Sequence, residues 1–292
     1  MHIMRYEKHD EQLVSIITPV LNCKEYIHLC IQSIINQSYP NVEHILIDGL
    51  STDGSVEIIQ QYQAKYPNRI RFISRKDNCP EDAINYGINL AKGKIIGMLG
   101  ADDRYKPNTI SIVVNYFSSH PNVSYVYGGC DIIDEKGNII FNIGQKDFNY
   151  NTILNVSSDN NIPWSSSFFK IQVVQKIGYY RESNASDFDF ILRAGKEFKI
   201  DRIHYVLSEF RQHQNQMSRK SRWNAIMLRR DMYQVSLLHG GNILSGYAIS
   251  FLKYVPWQIP ILFELKPFFI KIYSIFRNLK RKIPINNSFK II

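Results

Sequence analysis

Cysteine motifs, an apolar leader and long uninterrupted apolar runs are all lacking in this sequence. The four cysteines show no Cys-x-x-Cys pair and no zinc spacing, so reduced thiols are expected; they are Cys23, Cys30, Cys79 and Cys130. Residues 1–11 are polar and charged, without the apolar core of a signal peptide. Residues 243–263 are apolar, but Lys253, Pro256 and Pro260 interrupt them, which disfavours a membrane-spanning helix. These absences predict a cytoplasmic protein.

Acidic residues are scarce near the carboxyl terminus. Residues 219–292 contain thirteen Lys or Arg and two acids, a net charge of +11, whereas residues 1–218 carry −2. Within this tail, residues 267–282 place apolar side chains on one helical face and basic side chains opposite, which is typical of a helix lying in a membrane interface. The charge alone could suit RNA, but the apolar stripe favours an anionic membrane surface and no nucleic acid.

The remaining sequence alternates between strand and helix patterns, which predicts βαβ units and a mainly parallel sheet flanked by helices. Strands are expected at residues 13–18, 42–47, 70–74, 95–99, 123–127, 164–170 and 200–210, with a hairpin over residues 130–142. Helices are expected at residues 25–37, 51–66, 81–91, 107–119, 171–177, 187–198 and 223–238, and residues 148–162 are expected to form a loop that could include one helical turn. We expect a domain over residues 1–218, divided near residue 128 into a nucleotide-binding half (13–128) and an acceptor half (129–218), followed by a helical, basic tail over residues 219–292.

Two adjacent carboxylates, Asp102 and Asp103, follow the apolar strand expected at residues 95–99. Ligands bind at the carboxyl ends of strands in open α/β sheets. Oxygen ligands on such a loop suit a hard divalent cation, Mn²⁺ or Mg²⁺. The alternative is a polar turn, or a cap on the helix expected to start at Pro107.

Three amino-terminal motifs stand out together: residues 14–22 (Val-Ser-Ile-Ile-Thr-Pro-Val-Leu-Asn), 47–54 (Ile-Asp-Gly-Leu-Ser-Thr-Asp-Gly) and 100–103 (Gly-Ala-Asp-Asp). In combination they resemble family 2 glycosyltransferases of GT-A fold. Residues 186–193 and 210–218 are similar to that family's acceptor-side segments. The resemblance covers residues 13–218 and implies transfer of a sugar, with inversion, from a nucleotide diphosphate donor to a glycan or lipid-linked acceptor.

The resemblance implies donor contacts for four residues, listed here as Pro19, Asn22, Asp48 and Asp102. Asp48 would hold the uracil of a UDP-sugar, although a strand-end turn would also explain it. Many members have Asp-Asp-Gly-Ser where this chain has Asp-Gly-Leu-Ser from position 48. Asn22 could equally cap the first helix. The Ser-Thr-Asp-Gly segment that ends at residue 54 predicts the start of a helix rather than a contact with the donor.

The resemblance also implies a metal site. It gives Asp102 a ribose or metal contact and Asp103 direct coordination of the cation. His213 occupies the position where some relatives supply a third ligand, the alternative being a solvated histidine. A cation there would neutralise the diphosphate and the charge growing on the leaving group.

Asp187 is the expected general base, since an acceptor alcohol needs somewhere to deliver its proton. Family members usually have Glu-Asp where this chain has Ser186 and Asp187. Asp187 could instead cap the helix that follows it. Asp189 is expected to be structural, and Arg193 could reach either phosphate or Asp187.

Two other classes of protein can use similar features. A nucleotidyltransferase has a comparable sheet and acidic site, but it usually carries a Gly-rich basic loop, which residues 20–23 lack. A non-catalytic sugar- or nucleic-acid-binding protein would not need both Asp103 and Asp187. We therefore expect a cytoplasmic glycosyltransferase, peripherally associated with the inner face of the cell membrane and acting in synthesis of a lipid-linked surface glycan.

Overall fold

The structure is a computed structural model of the chain and describes residues 12–155, 162–214, 216 and 222–241. The strands of that part are β1 (Val14–Val20), β2 (Val42–Asp48), β3 (Ile70–Ser74), β4 (Ile95–Met98), β5 (Arg104–Tyr105), β6 (Val123–Ile133), β7 (Ile139–Ile143), β8 (Ser167–Lys170) and β9 (Lys199–Arg211). The helices are α1 (Ile27–Ile35), α2 (Ser55–Lys65), α3 (Pro80–Leu90), α4 (Thr109–Ser119), α5 (Tyr150–Leu154), α6 (Gln172–Ile177), α7 (Ser186–Glu197) and α8 (Arg222–Leu238). The predicted α/β fold is confirmed.

The strands form one sheet in the order β3-β2-β1-β4-β8-β6-β9-β5, and β7 pairs with β6. The first four strands in that order are parallel, so their carboxyl ends share one edge. Beyond β4 the sheet is mixed, because β8 runs antiparallel to both β4 and β6. The parallel half therefore presents the loops that follow β1, β2, β3 and β4 along a single edge, where ligands bind in open α/β sheets.

Helices cover both faces of the sheet, and this explains the continuous apolar runs of the central strands. Neighbouring residues of a strand point to opposite faces. Ile16 accordingly packs in the layer formed by α1, α2 and α4, whereas Ile17 packs in the layer of α3, α6 and α7. Every residue of β2 is buried, which fixes its place inside the sheet.

The strand expected at residues 164–170 is shorter, because residues Trp164–Ser166 form a 3-10 helix before β8, and β5 was not expected. The bounds of β1 and β6 also differ from the sequence-based expectation. The first strand was expected to stop before Pro19, but β1 continues to Val20 and pairs with β2 along its whole length. Pro19 is tolerated because β4 pairs with β1 only as far as Ile17, so the proline has a single neighbouring strand. The strand expected at 123–127 and the first arm of the hairpin form one strand, β6, and the hairpin turns at Asp134–Asn138, as the backbone bond from Asp134 N to Asn138 O shows.

The helix predicted at residues 223–238 is α8, and it packs against α7 and the segment before α7. Asn184 donates a hydrogen bond to Asp231 (2.7 Å), and the ring of His239 lies 3.0 Å from a carboxylate oxygen of Asp189. The apolar and amphipathic segments predicted at residues 243–263 and 267–282 lie outside the described residues. Among the helices that the structure describes, none is long and apolar enough to cross a membrane.

A single methyl group added to β4 should destabilise the fold. A Cβ atom at Gly97 would lie 2.5 Å from a ring carbon of Phe168 and 2.7 Å from Cδ1 of Ile16. We expect Gly97→Ala to lower the free energy of unfolding by about 1–3 kcal/mol, because overpacking displaces side chains on both neighbouring strands. Urea denaturation measures this, and Gln60→Ala, on an exposed face of α2, is the control, expected within about 0.5 kcal/mol of wild type. Equal stability of the two variants would contradict the packing described.

Candidate active site

The loops after β1 and β2 are fastened together at the carboxyl edge of the sheet. Asn22 accepts a hydrogen bond from Thr52 N through Oδ1 (2.8 Å), and its own N–H donates to Ser51 Oγ (2.8 Å). The cap position of α1 is held by Tyr26, so the alternative that Asn22 caps this helix is wrong. Asn22 remains exposed beside these loops, with the left-handed φ of 50°. Its predicted donor contact remains a prediction.

Asp48 organises the loop that follows β2. Its buried carboxylate accepts hydrogen bonds from the N–H groups of Leu50 (3.1 Å) and Ser51 (3.2 Å) and from the hydroxyl of Ser74 (2.6 Å). These bonds hold Leu50 at φ 65°, a conformation that favours glycine. The base contact predicted for Asp48 remains a prediction, but its side chain has no solvent-accessible surface here. Pro19 lies beside this loop, opposite Ile47 of β2.

A second carboxylate stands next to this loop and was missed by sequence reasoning. The Oδ atoms of Asp77 lie 2.8 and 3.0 Å from the position that a Cβ atom of Gly49 would occupy. Desolvation, followed by the nearby Asp82 carboxylate, raises the pKa of Asp77. The resemblance predicts an aspartate at position 49, where this chain has a glycine. That departure was the available sign that another acid lies here, and in the structure Asp77 of the β3–α3 loop occupies the space.

Asp102 meets His213 just beyond β4. His213 Nε2 lies 2.9 Å from Asp102 Oδ2, although the two residues are 111 positions apart in sequence. Both side chains keep some solvent exposure, 22% for Asp102 and 12% for His213. The ring of Tyr26 packs against the imidazole with 4.9 Å between centroids. This contact shows that His213 is not a solvated histidine on a polar segment.

Asp103 is buried beneath this pair. Its Oδ1 accepts a hydrogen bond from the backbone N–H of Arg211 (3.0 Å), and the hydroxyl of Ser165 also bonds to the carboxylate. Burial raises the pKa of Asp103 well above its usual range, and the charge of Asp102 adds to the effect. The alternative in which the two acids cap the helix after Pro107 is not supported, because α4 has Asn108 at its cap position and no side-chain cap bond.

Arg211 joins the pieces of this site and was not singled out from the sequence. Its guanidinium donates to the backbone oxygens of Asp102 (3.1 Å), Asp134 (3.2 Å) and Glu135 (3.0 Å). It also lies 4.8 Å from the ring centroid of Tyr26. The side chain is almost fully buried, and its Nη2 lacks a partner among the described residues. A buried arginine therefore fixes the loop after β4 against the β6–β7 hairpin.

The donor set suits a divalent cation. Asp102 Oδ1 and Asp103 Oδ2 lie 2.9 and 2.8 Å from the point where a Cβ atom of Gly100 would stand, so their oxygens converge on a position that only glycine leaves open. Carboxylate oxygens with an imidazole nitrogen are suitable ligands for Mn²⁺. Within the described residues, no three His, Cys, Asp or Glu side chains form a closed ligand set. The arrangement therefore fits a cation whose coordination shell is completed by oxygen atoms of the substrate.

Asp187 lies in the first turn of α7. No side chain caps this helix, so the alternative in which Asp187 serves as its cap is not supported. Asp187 is accessible to solvent, yet protein atoms crowd it enough for desolvation to raise its pKa to about 7, and the Glu81 carboxylate contributes to the rise. A carboxyl group with this pKa can accept a proton near neutral pH.

Asp189 and Arg193 form a structural pair, as expected for Asp189. Arg193 Nε donates to Asp189 Oδ2 (2.7 Å), and its other nitrogens donate to the backbone oxygens of Ile177 (2.7 Å) and Tyr179 (2.9 Å). The expectation that Arg193 reaches phosphate or Asp187 is wrong, because these bonds turn the guanidinium toward the segment before α7.

Comparison with known proteins assigns a family to this arrangement. The family model described as "Glycosyl transferase family 2" matches residues 15–176. Chondroitin synthase of Escherichia coli is 36% identical over 130 residues, which are 44% of this chain and 19% of that protein. An uncharacterized glycosyltransferase of Rickettsia bellii is 30% identical over 217 residues, 71% of this chain and 31% of that protein. This chain therefore spans less than a third of the length of these relatives.

Solved structures share the fold. S. aureus TarS 1-349 in complex with UDP-GlcNAc matches with a TM-score of 0.59 and 15% identity, covering 96% of this chain and 94% of that chain. The mannosyltransferase PcManGT from Pyrobaculum calidifontis, in complex with GDP-Man and Mn²⁺, matches with a TM-score of 0.54 and 14% identity, covering 93% and 88%. At these identities the likeness establishes the fold alone.

Removing the buried guanidinium should destabilise the site and the fold together. Arg211→Gln loses the bonds to three backbone oxygens and leaves Asp103 without its nearest cation. We expect the free energy of unfolding to fall by about 2–4 kcal/mol. The measurement is urea denaturation, and the control is Lys199→Gln on the same strand, which breaks an exposed pair with Asp201 and should cost less than about 1 kcal/mol. A loss no larger than that of the control would show that Arg211 is not structurally essential.

Proposed function

The chain belongs to glycosyl transferase family 2, and on that premise we propose that it transfers a sugar from a nucleotide diphosphate donor to a hydroxyl group of a glycan or lipid-linked acceptor. The observation that carries the proposal furthest is the meeting of Asp102 and His213 beyond β4. It places an acid and an imidazole at the carboxyl edge of parallel strands, where an open α/β sheet binds nucleotides. We take the donor to be a UDP-sugar.

The donor end of the site contains both solvent-exposed and buried polar groups, for which we propose different roles. Asp102 and His213 would hold a divalent cation, because they are the members of the set that reach solvent. When bound, that cation supplies positive charge to the diphosphate leaving group. The direct coordination expected of Asp103 remains a prediction, and the convergence of its Oδ2 with Asp102 Oδ1 beside Gly100 supports it. Asp48 and Asn22 shape the two loops that would enclose the nucleotide, with Pro19 at their base.

Asp187 is the proposed general base. The acceptor hydroxyl gives its proton to the Asp187 carboxylate while its oxygen forms a bond to the anomeric carbon. The bond from that carbon to the diphosphate oxygen breaks, and its electron pair leaves with the nucleotide. A single displacement of this kind inverts the anomeric configuration. The raised pKa of Asp187 supports this role, since a stronger base accepts the proton more readily.

We also propose that the protein acts at the inner face of a cell membrane, in synthesis of a surface polysaccharide. The support is the net charge of +11 over residues 219–292 and the apolar stripe of residues 267–282. Each basic residue close to an anionic leaflet contributes about 1 kcal/mol to binding, and salt reduces this contribution.

Replacing the proposed base should abolish transfer and leave the fold intact. Asp187→Asn keeps the size of the side chain but removes the proton acceptor. We expect transfer to fall about a hundredfold or more, with UDP affinity and thermal unfolding unchanged. The measurement is release of UDP in the presence of acceptor. Glu182→Gln, an exposed acid five residues earlier, serves as the control and should keep full activity. A well-folded Asp187→Asn protein that retains most activity would assign the base elsewhere.

Membrane association should depend on the carboxyl-terminal tail. We expect the full chain to cosediment with vesicles containing anionic phospholipid at low salt, and the chain ending before Pro267 to remain in the supernatant. High salt should weaken the binding, because it screens the charges involved. Equal sedimentation of the two proteins, or none by the full chain at low salt, would contradict the proposal.

A further inference from the structure

The base position in this chain departs from the family pattern in one respect. Ser186 stands directly before Asp187, where a glutamate is expected from the resemblance. Asp187 therefore has no acidic neighbour in sequence. The structure supplies one from elsewhere in the chain, because Glu81 lies close enough for its carboxylate to act on Asp187.

Hydrogen bonds join α3, which carries Glu81, to the segment leading into α7, which carries Asp187. The side chain of Asn85 donates to the backbone oxygen of Tyr180 (2.8 Å) and accepts from its N–H (3.0 Å). Ala83 of α3 and Phe190 of α7 belong to the same buried cluster. Glu81 lies in the first turn of α3 and Asp187 in the first turn of α7, so both carboxylates stand at helix beginnings.

This packing also places Asp187 with respect to the donor end. α3 follows β3, which is parallel to β2, so the helix begins at the carboxyl edge of the sheet. Asp187, beside Glu81, thus stands near the edge that carries the loops after β1, β2 and β4. A base at this edge is placed to meet an acceptor approaching a donor bound there.

The other ionisable groups around Asp187 do not offset the charge of Glu81. Two phenols face it, those of Tyr125 on β6 and Tyr180 before α7, and burial raises the pKa of each, so both stay neutral. Three basic side chains of this region are directed elsewhere: Arg181, Arg193 and His239 all contact Asp189. The remaining acid of the first turn of α3, Asp82, accepts hydrogen bonds from Asn78, and the Cys79 thiol lies against Glu81.

We propose that Glu81 is the acidic partner of the base, a positioning residue that supplies from α3 the carboxylate that Ser186 does not provide. The inference rests on the proposed function of Asp187. When Asp187 takes the proton of the acceptor hydroxyl, two neighbouring negative charges become one. The relief of their repulsion favours proton transfer, and this makes Asp187 a stronger base than an isolated aspartate.

The direct test is the titration of Asp187 in the full chain. Proteins with ¹³C-labelled aspartate carboxyl groups would be titrated by NMR, with Asp187→Asn identifying the resonance. We expect the pKa of Asp187, about 7 in wild type, to fall by roughly one unit in Glu81→Gln, because removal of a facing negative charge favours the ionised form. Glu81→Asp keeps the negative charge, so the pKa of Asp187 in this variant should stay close to the wild-type value. Glu57→Gln, in the first turn of α2, is the matched control and should leave the titration unchanged.

The rate of transfer gives the second readout. The acid limb of the kcat/KM profile should move to lower pH in Glu81→Gln, and the plateau at high pH should fall, with UDP affinity unchanged. An unshifted Asp187 titration in folded Glu81→Gln would overturn the inference and leave the proposed function standing. A shifted titration in a protein that transfers no sugar to any acceptor would instead count against the proposed function, while the pairing of the two acids would hold.

Discussion

Burial of the Asp103 carboxylate is the constraint on which the rest of the site depends. A buried carboxylate needs hydrogen-bond donors and nearby positive charge, and Arg211 provides both through its backbone N–H and its guanidinium. The same guanidinium binds the carbonyl groups of the loop after β4 and of the β6–β7 turn. Because Arg211 is held in this way, His213, two residues further along the chain, lies in contact with Asp102. The contact between the two proposed metal ligands thus depends on the bonds that Arg211 makes to Asp103 and to the neighbouring backbone oxygens.

Four aspartates of the candidate site differ in their surroundings, and the roles proposed for them follow from those differences. Asp103 and Asp48 are buried and hydrogen-bonded, and both hold loops in place. Asp102 reaches solvent beside an imidazole, which suits a cation ligand. Asp187 is crowded by protein atoms and faces another acid, which suits a proton acceptor. In the adjacent pair Asp102 and Asp103, one step along the chain changes a partly exposed carboxylate into a buried one.

The sequence predicted the fold well, because the fold rests on local patterns, whereas the roles of the candidate site residues stay predictions. Alternation of apolar strands and helices requires a covered parallel sheet, and the motifs around Asp102, Asp187 and His213 marked residues that the structure places at element ends. Other contacts depend on packing between distant segments. Arg211 shows no local sign that it is buried, and Glu81 faces Asp187 only because α3 packs against the segment before α7. Asn22 was weighed as a helix cap, but the cap position of α1 is occupied by Tyr26.

Calorimetric titration of the full chain with UDP, in Mn²⁺ and in EDTA, tests whether Asp102 and His213 form a cation-dependent donor site. We expect one UDP-binding site per chain that requires Mn²⁺, and loss of the Mn²⁺-dependent part of the affinity in Asp102→Asn. Binding that is equally tight in EDTA, or an Asp102→Asn protein that binds UDP with Mn²⁺ as wild type does, would contradict it.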